Sequence, residues 1–126
     1  MKKSTLAPAA AVVVGAALAA GLVQPAPASA APARARVAVT ITADGTDIHG
    51  TVTSSALLRC AADRTVDLYK LVDGEPHLWA SDTTQLQGRS YVWSAGNTGT
   101  TGRFFARVKA KPGCRAATSP TIRVRR

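Results

Sequence analysis

Hydrophobic and polar residues alternate with a period of two along most of the chain after residue 36. Val37, Val39 and Ile41 alternate with smaller or polar residues, which places the branched side chains on one face of a strand. The same pattern predicts seven strands, at 37–42, 48–52, 66–72, 78–81, 91–93, 104–108 and 122–124. Seven short strands without a segment of helical period predict an antiparallel, immunoglobulin-like β-sandwich, with a small barrel as the alternative architecture.

Turn-forming dipeptides separate several of these strands. Asp44 with Gly45, and Asp73 with Gly74, are pairs that favour tight hairpin turns, because both positions tolerate a positive φ. Pro112 and Gly113 turn the chain between the last two strands.

The first thirty residues have the pattern of a signal peptide. Lys2 and Lys3 precede an apolar stretch at about 9–23, and residues 28–30 form a small-x-small cleavage site. An uncleaved membrane anchor is the alternative, because the apolar stretch nearly reaches the roughly 20 residues that a span requires. Its alanine-rich composition favours cleavage, so we expect residues 1–30 to be removed and the protein to be secreted and extracellular.

Cleavage would leave about 96 of the 126 residues, which is enough for one domain. We expect a short disordered lead at 31–36 and a β-sandwich domain at 37–126. No hydrophobic tail follows at the C-terminus, so the mature protein is predicted to have no membrane span. We expect it to be a monomer without a cofactor.

The chain has two cysteines, Cys60 and Cys114. Exported proteins meet an oxidising compartment, so the two thiols are predicted to form one disulfide. Cys60 precedes the third predicted strand and Cys114 lies between the sixth and seventh, so the bond would connect two loops at one end of the sandwich. Closing a loop of this length is worth about 4 kcal/mol in the chain-entropy model.

Seventeen positions in 50–124 follow the order of a known packing pattern: Gly-x-Val, Cys, Arg-x-Val-x-Leu-Tyr, a threonine-rich turn, Gly-x-aromatic-x-Ala-x-Val, a second Cys, Ser and a final Val. These residues are Gly50, Val52, Cys60, Arg64, Val66, Leu68, Tyr69, Asp82, Thr83, Thr84, Gly102, Phe104, Ala106, Val108, Cys114, Ser119 and Val124. In this the chain resembles small secreted bacterial modules of the immunoglobulin-like and carboxypeptidase-regulatory-like (transthyretin-like) type. The resemblance implies a sandwich fold, and its motifs contribute to packing and include no catalytic residue.

Catalytic and metal-binding patterns are absent from the sequence. His49 is predicted to face outwards and His77 to follow a turn, and neither has a nucleophile or carboxylate at a spacing that would orient its ring. Two separate histidines and two distant cysteines lack the paired spacing of a zinc site. We therefore expect a non-enzymatic protein without a metal.

Basic residues are concentrated at the C-terminal end. The whole chain carries a formal charge of +9, and from Arg103 onwards it has eight Lys or Arg residues and no acid. Strand alternation predicts that six of these basic residues point outwards and form a candidate polyanion-binding face: Arg103, Arg107, Lys109, Lys111, Arg123 and Arg125. Phe105 is predicted to be exposed within this face. Anionic cell-envelope polymers, acidic glycans, phospholipid head groups and extracellular nucleic acid are candidate partners by charge.

Other interpretations stay open at this stage. The basic residues could solely protect a sheet edge from aggregation, and sequence-specific nucleic-acid binding lacks a recognised module. Trp79, Tyr91 and Trp93 could stack on sugars as a carbohydrate-binding module, although core packing of the last two is the favoured interpretation. Arg59 and Arg115, each beside a cysteine, could present a rigid loop to a trypsin-like hydrolase as an inhibitor of another extracellular protein.

Overall fold

The computed structural model describes residues 33–126, and the predicted signal peptide lies outside that range. The elements are β1 (Val37–Val39), β2 (Thr42–Asp44), β3 (Asp47–Ser54), α1 (Leu57–Cys60), β4 (Thr65–Val72), β5 (Glu75–Thr83), β6 (Gln85–Gln87), β7 (Ser90–Asn97), β8 (Gly102–Val108), β9 (Ala117–Thr118) and β10 (Ile122–Val124). The predicted all-β character is confirmed, with one helical turn, α1, that the sequence pattern did not indicate. Residues 33–126 contain ten strands where the pattern predicts seven.

The strands form two antiparallel sheets that share one core. The first sheet has the order β1-β3-β7-β6 with β2 beside β3, and the second has the order β10-β8-β4-β5 with β9 beside β8. Buried side chains from both sheets, with Ile41 between β1 and β2, make up the core: Val39, Ile48, Val52, Tyr91 and Trp93 from the first, and Val66, Leu68, Phe104, Ala106, Val108 and Val124 from the second. This arrangement agrees with the sandwich that the alternating pattern predicts.

Two of the additional strands arise because an edge strand of each sheet is interrupted. Between β1 and β2, the Thr40 hydroxyl accepts a hydrogen bond from the Thr51 backbone N–H at 2.9 Å. Between β9 and β10, the buried Ser119 hydroxyl accepts a hydrogen bond from the Ala106 N–H at 2.8 Å, and Pro120 follows. A side-chain oxygen thus replaces a ladder carbonyl in both edges, and interrupted edges resist pairing with other chains.

The third additional strand, β6, forms where the chain changes sheets. Strand β5 pairs with β4 in the second sheet, and β6 pairs with β7 in the first. Thr84 lies between them and is 2% exposed. Its hydroxyl accepts from the Arg64 N–H at 2.9 Å and donates to the Ala61 carbonyl at 2.6 Å, while its own N–H donates to the Arg64 carbonyl at 2.8 Å. These three bonds hold the crossing strand against the chain before β4.

The disulfide between Cys60 and Cys114 is confirmed, with Cα atoms 5.5 Å apart. It connects α1 to the chain between β8 and β9. The end of the predicted lead also contacts this region: the Ala35 N–H donates to Gly113, and its carbonyl accepts from Arg115 at 2.9 Å. In the part of the chain that is described, no helix has the length and apolar character needed to cross a membrane.

Candidate anion-binding face

The outer face of the second sheet is the surface of β10, β8, β4 and β5 that points away from the core. One row of directly paired residues crosses all four strands, from Arg123 through Arg103 and Leu71 to Pro76. Arg103 and Arg123 are both exposed and lie on this face because their neighbours Phe104 and Val124 are buried. We call this pair of arginines with Arg107, which has the same parity on β8, the arginine face.

Arg103 and Arg123 lie directly opposite each other across two antiparallel strands. Directly opposed residues have Cβ atoms about 5 Å apart, and like charges at such positions destabilise the pair. Within residues 33–126 the single contact at salt-bridge distance is between the His49 imidazole and the Asp44 carboxylate, so neither arginine has a carboxylate within 4.0 Å. Two positive charges are thus held together without compensation from this part of the protein.

An aromatic pair adjoins these arginines. In the next outward row, Phe105 of β8 pairs with Tyr69 of β4, and Tyr69 pairs with Leu78 of β5. The two rings stack with centroids 5.2 Å apart and an interplanar angle of 17°. Phe105 is half-buried by this contact rather than fully exposed, which corrects the prediction made from its parity. Tyr69 was not among the residues predicted for this face, although its position next to buried Leu68 on the strand indicates an outward side chain.

Arg107 lies beyond the aromatic row and next to an acidic strand position. It is four residues from Arg103 along β8, which corresponds to about 13 Å, and it pairs directly with Asp67. Asp67 accepts a hydrogen bond from the Ser81 hydroxyl at 2.6 Å. The arginine face therefore has its highest charge at Arg103 and Arg123 and a weaker one at Arg107.

The remaining predicted basic residues lie at two other places. Lys109 and Lys111 follow the end of β8 and line a groove of about 420 Å³ near the disulfide, together with Asp63, Asp67 and the buried Arg64. Arg125 follows the end of β10 and lines a groove of about 530 Å³ with Thr101, Gly102, Arg123, Val124 and Arg126. The six candidate residues thus do not form one continuous surface.

Arg64 is a buried cation held by backbone carbonyls. Its side chain is 3% exposed, and its guanidinium donates to the carbonyl oxygens of Cys60, at 2.6 Å, and of Lys109. Burial lowers the pKa of Arg64 because the charged form loses hydration. A guanidinium nevertheless stays protonated at neutral pH. We interpret Arg64 as a structural link between α1 and the end of β8.

The three aromatic candidates for sugar binding differ in how far they are exposed. Tyr91 and Trp93 are 7% and 2% exposed and belong to the core, so they cannot form a stacking platform with Trp79. This outcome agrees with the interpretation favoured from the sequence. Trp79 is 45% exposed, meets the Phe104 ring edge-on and has the Lys70 ammonium 5.3 Å from its ring centroid. One exposed ring is left from the predicted platform.

The contacts of His49 and the position of Arg59 in the structure both differ from the sequence predictions. His49 does have a carboxylate partner, contrary to the prediction: its Nε2 lies 3.0 Å from an Asp44 oxygen. The two residues meet across the hairpin turn at Gly45 and Thr46, a diagonal contact that their spacing of five does not indicate.

Arg59 lies in α1 rather than in an extended, substrate-like loop. Among residues 33–126, no group of three or more His, Cys, Asp or Glu side chains could hold a metal ion.

No protein-family model and no curated protein matches the chain. Arg103 and Arg123 offer guanidinium donors in a fork geometry suited to carboxylate, phosphate and sulfate groups. The adjoining Tyr69 and Phe105 rings offer apolar surface. Together they can bind an anionic group and pack against whatever carries it.

Proposed function

We propose that this protein is a secreted, non-enzymatic binding module that attaches to an anionic polymer of the cell envelope through the arginine face. The observation that carries the proposal is the direct pairing of Arg103 with Arg123, without a carboxylate partner in the described chain. An anion placed between the two guanidinium groups would relieve their repulsion and gain charge-assisted hydrogen bonds. Binding is thereby favoured at this position over other exposed arginines.

We infer the finer structural class from the same resemblance that the sequence carries. An immunoglobulin-like or carboxypeptidase-regulatory-like sandwich fits two antiparallel sheets around one core with a single disulfide. Export, cleavage after residue 30 and action outside the cell belong to this proposal. They are supported by the signal-like N-terminal pattern and by the disulfide, which is typical of oxidising compartments.

A charge-matched comparison tests the arginine face. We expect the protein to be retained on a polyanionic resin and released by salt, because the dissolved anions compete with the polymer for the arginines. The variant Arg103→Gln/Arg123→Gln should elute at a clearly lower salt concentration. The control Arg34→Gln/Arg89→Gln removes the same charge from exposed positions outside the second sheet.

The control separates a site from a general charge effect. If both double variants elute together, retention depends on net charge alone and the proposed site is wrong. If the protein is not retained at low salt, the polyanion function itself is wrong. Binding to a neutral polysaccharide that is lost in Trp79→Ala would instead favour the carbohydrate-binding alternative.

A further inference from the structure

The two edges of the second sheet run in opposite directions. Successive strands β10, β8, β4 and β5 are all paired antiparallel, so β10 and β5 are antiparallel to each other. A second copy placed beside the first in the same orientation would therefore bring its β10 against β5 as another antiparallel pair. Such an arrangement extends the sheet and leaves a free edge at each end.

The β5 edge is acidic in a strongly basic protein. From Asp73 to Gly88 the chain has three acidic residues, Asp73, Glu75 and Asp82, and no Lys or Arg. Asp73 lies in the hairpin turn before β5, and Glu75 is the first residue of β5; both are exposed. Neither carboxylate has an ion-pair partner within residues 33–126.

The opposite edge carries complementary charge at the same level of the sheet. Arg123 and Pro76 end the same row of paired residues, so Val124 is level with Glu75. Arg125 and Arg126 directly follow β10, on the side of the row towards the turn that contains Asp73. These arginines line the groove of about 530 Å³ described above, which opens beside β10.

We propose that copies of this protein associate head to tail in an open series, with the acidic turn at Asp73 and Glu75 of one copy docking in the groove lined by Arg125 and Arg126 of the next. Unshifted continuation of the sheet brings opposite charges level with each other, whereas pairing two acidic or two basic edges brings like charges together. Charge complementarity of this kind selects the partner surface and its register.

Features of the β5 edge limit how strong this contact is. Pro76 has no N–H to donate, and a β-bulge lies between Leu68 and Tyr69 in the β4–β5 pair. A continuous hydrogen-bond ladder between copies is therefore excluded, and ion pairs carry the association. We expect a reversible, salt-sensitive assembly, which differs from the monomer predicted from the sequence. The proposal does not depend on the identity of any polymer ligand.

Reciprocal charge changes test the contact by sedimentation equilibrium over a hundredfold range of protein concentration. The unmodified protein should show an average mass that keeps rising with concentration. Arg125→Glu/Arg126→Glu should weaken association by at least about tenfold, and so should Asp73→Asn/Glu75→Lys, because each leaves the contact without opposite charges. Asn is chosen at residue 73 because its φ is +53°, a conformation that Asn tolerates.

An equimolar mixture of the two variants gives the deciding result. Mixing restores opposite charges at each contact, so we expect the mixture to associate although neither variant does alone. A control with Arg34→Glu/Arg89→Glu has the same change in charge as the groove variant and should associate as the unmodified protein does. A protein that stays monomeric, a closed dimer that does not grow, or a mixture that stays monomeric would each overturn the proposal.

Discussion

The indole N–H of Trp93 donates a hydrogen bond to the backbone carbonyl of Thr40, across 3.2 Å between nitrogen and oxygen. This contact satisfies the polar atom of the largest fully buried side chain of the core. It is possible because Gly50 lies between them. A Cβ on Gly50 would lie 1.9 Å from the Thr40 oxygen and 2.7 Å from the indole nitrogen.

Gly50→Ala should therefore destabilise the protein. The added methyl group overlaps backbone atoms that cannot rotate away, so we expect a loss of about 2 kcal/mol or more in the free energy of unfolding. Urea denaturation measures it. Thr53→Ala, at an exposed position of the same strand, should cost below about 1 kcal/mol. Equal stability of the two variants would contradict the close approach at Gly50.

Thr84→Val should lower the free energy of unfolding, because Thr84 holds the chain where it changes sheets. Valine keeps the shape of threonine but leaves the Arg64 N–H and the Ala61 carbonyl without the hydroxyl, at a cost of about 2–3 kcal/mol. The neighbouring Thr83→Val makes the same chemical change at an exposed position and should alter stability by less than about 0.5 kcal/mol. The two midpoints of urea denaturation give the comparison, and coinciding midpoints would rule out this role for Thr84.

Removal of the disulfide in Cys60→Ala/Cys114→Ala should lower the free energy of unfolding by about 4 kcal/mol. The bond closes a loop with a sequence separation of 54, which restricts the unfolded chain. Chemical denaturation with and without reductant should give a similar loss for the unmodified protein. Intact mass spectrometry that finds both thiols alkylated without prior reduction would show that the bond does not form.

Arg64→Lys should destabilise the region around the Cys60–Cys114 disulfide. A lysine ammonium cannot reproduce the planar fork that reaches the carbonyls of Cys60 and Lys109 together, and one buried carbonyl left unpaired costs about 2 kcal/mol. We expect lower stability and faster reduction of the disulfide by dithiothreitol. Arg59→Lys makes the same replacement at an exposed residue next to Cys60 and should reduce at the unmodified rate. Equal reduction rates would refute the linking role of Arg64.

Local patterns predicted the strands because alternation with a period of two reports which side chains are buried. Phe104, Ala106 and Val108 have the inward parity expected of them, and the turn at Asp73 and Gly74 lies where its residues indicate. Each of these features depends on neighbours within a few residues. Backbone geometry then carries the pattern directly into structure.

Contacts between distant residues were not predictable in the same way. Arg103 and Arg123 were both selected as outward basic residues, but their direct opposition depends on the register of β8 and β10. Tyr69 and Phe105 likewise meet through the register of β4 and β8. Register is a property of paired strands, so one strand's sequence does not contain it.

The sequence by itself determined the all-β class, the cysteine pair and the C-terminal excess of positive charge. Only the tertiary structure decided which charges lie together, that Arg64 is buried, and that Glu75 is level with Val124 across the sheet. The reason is physical: side-chain parity is local, whereas strand order and register follow from packing the whole chain around one core.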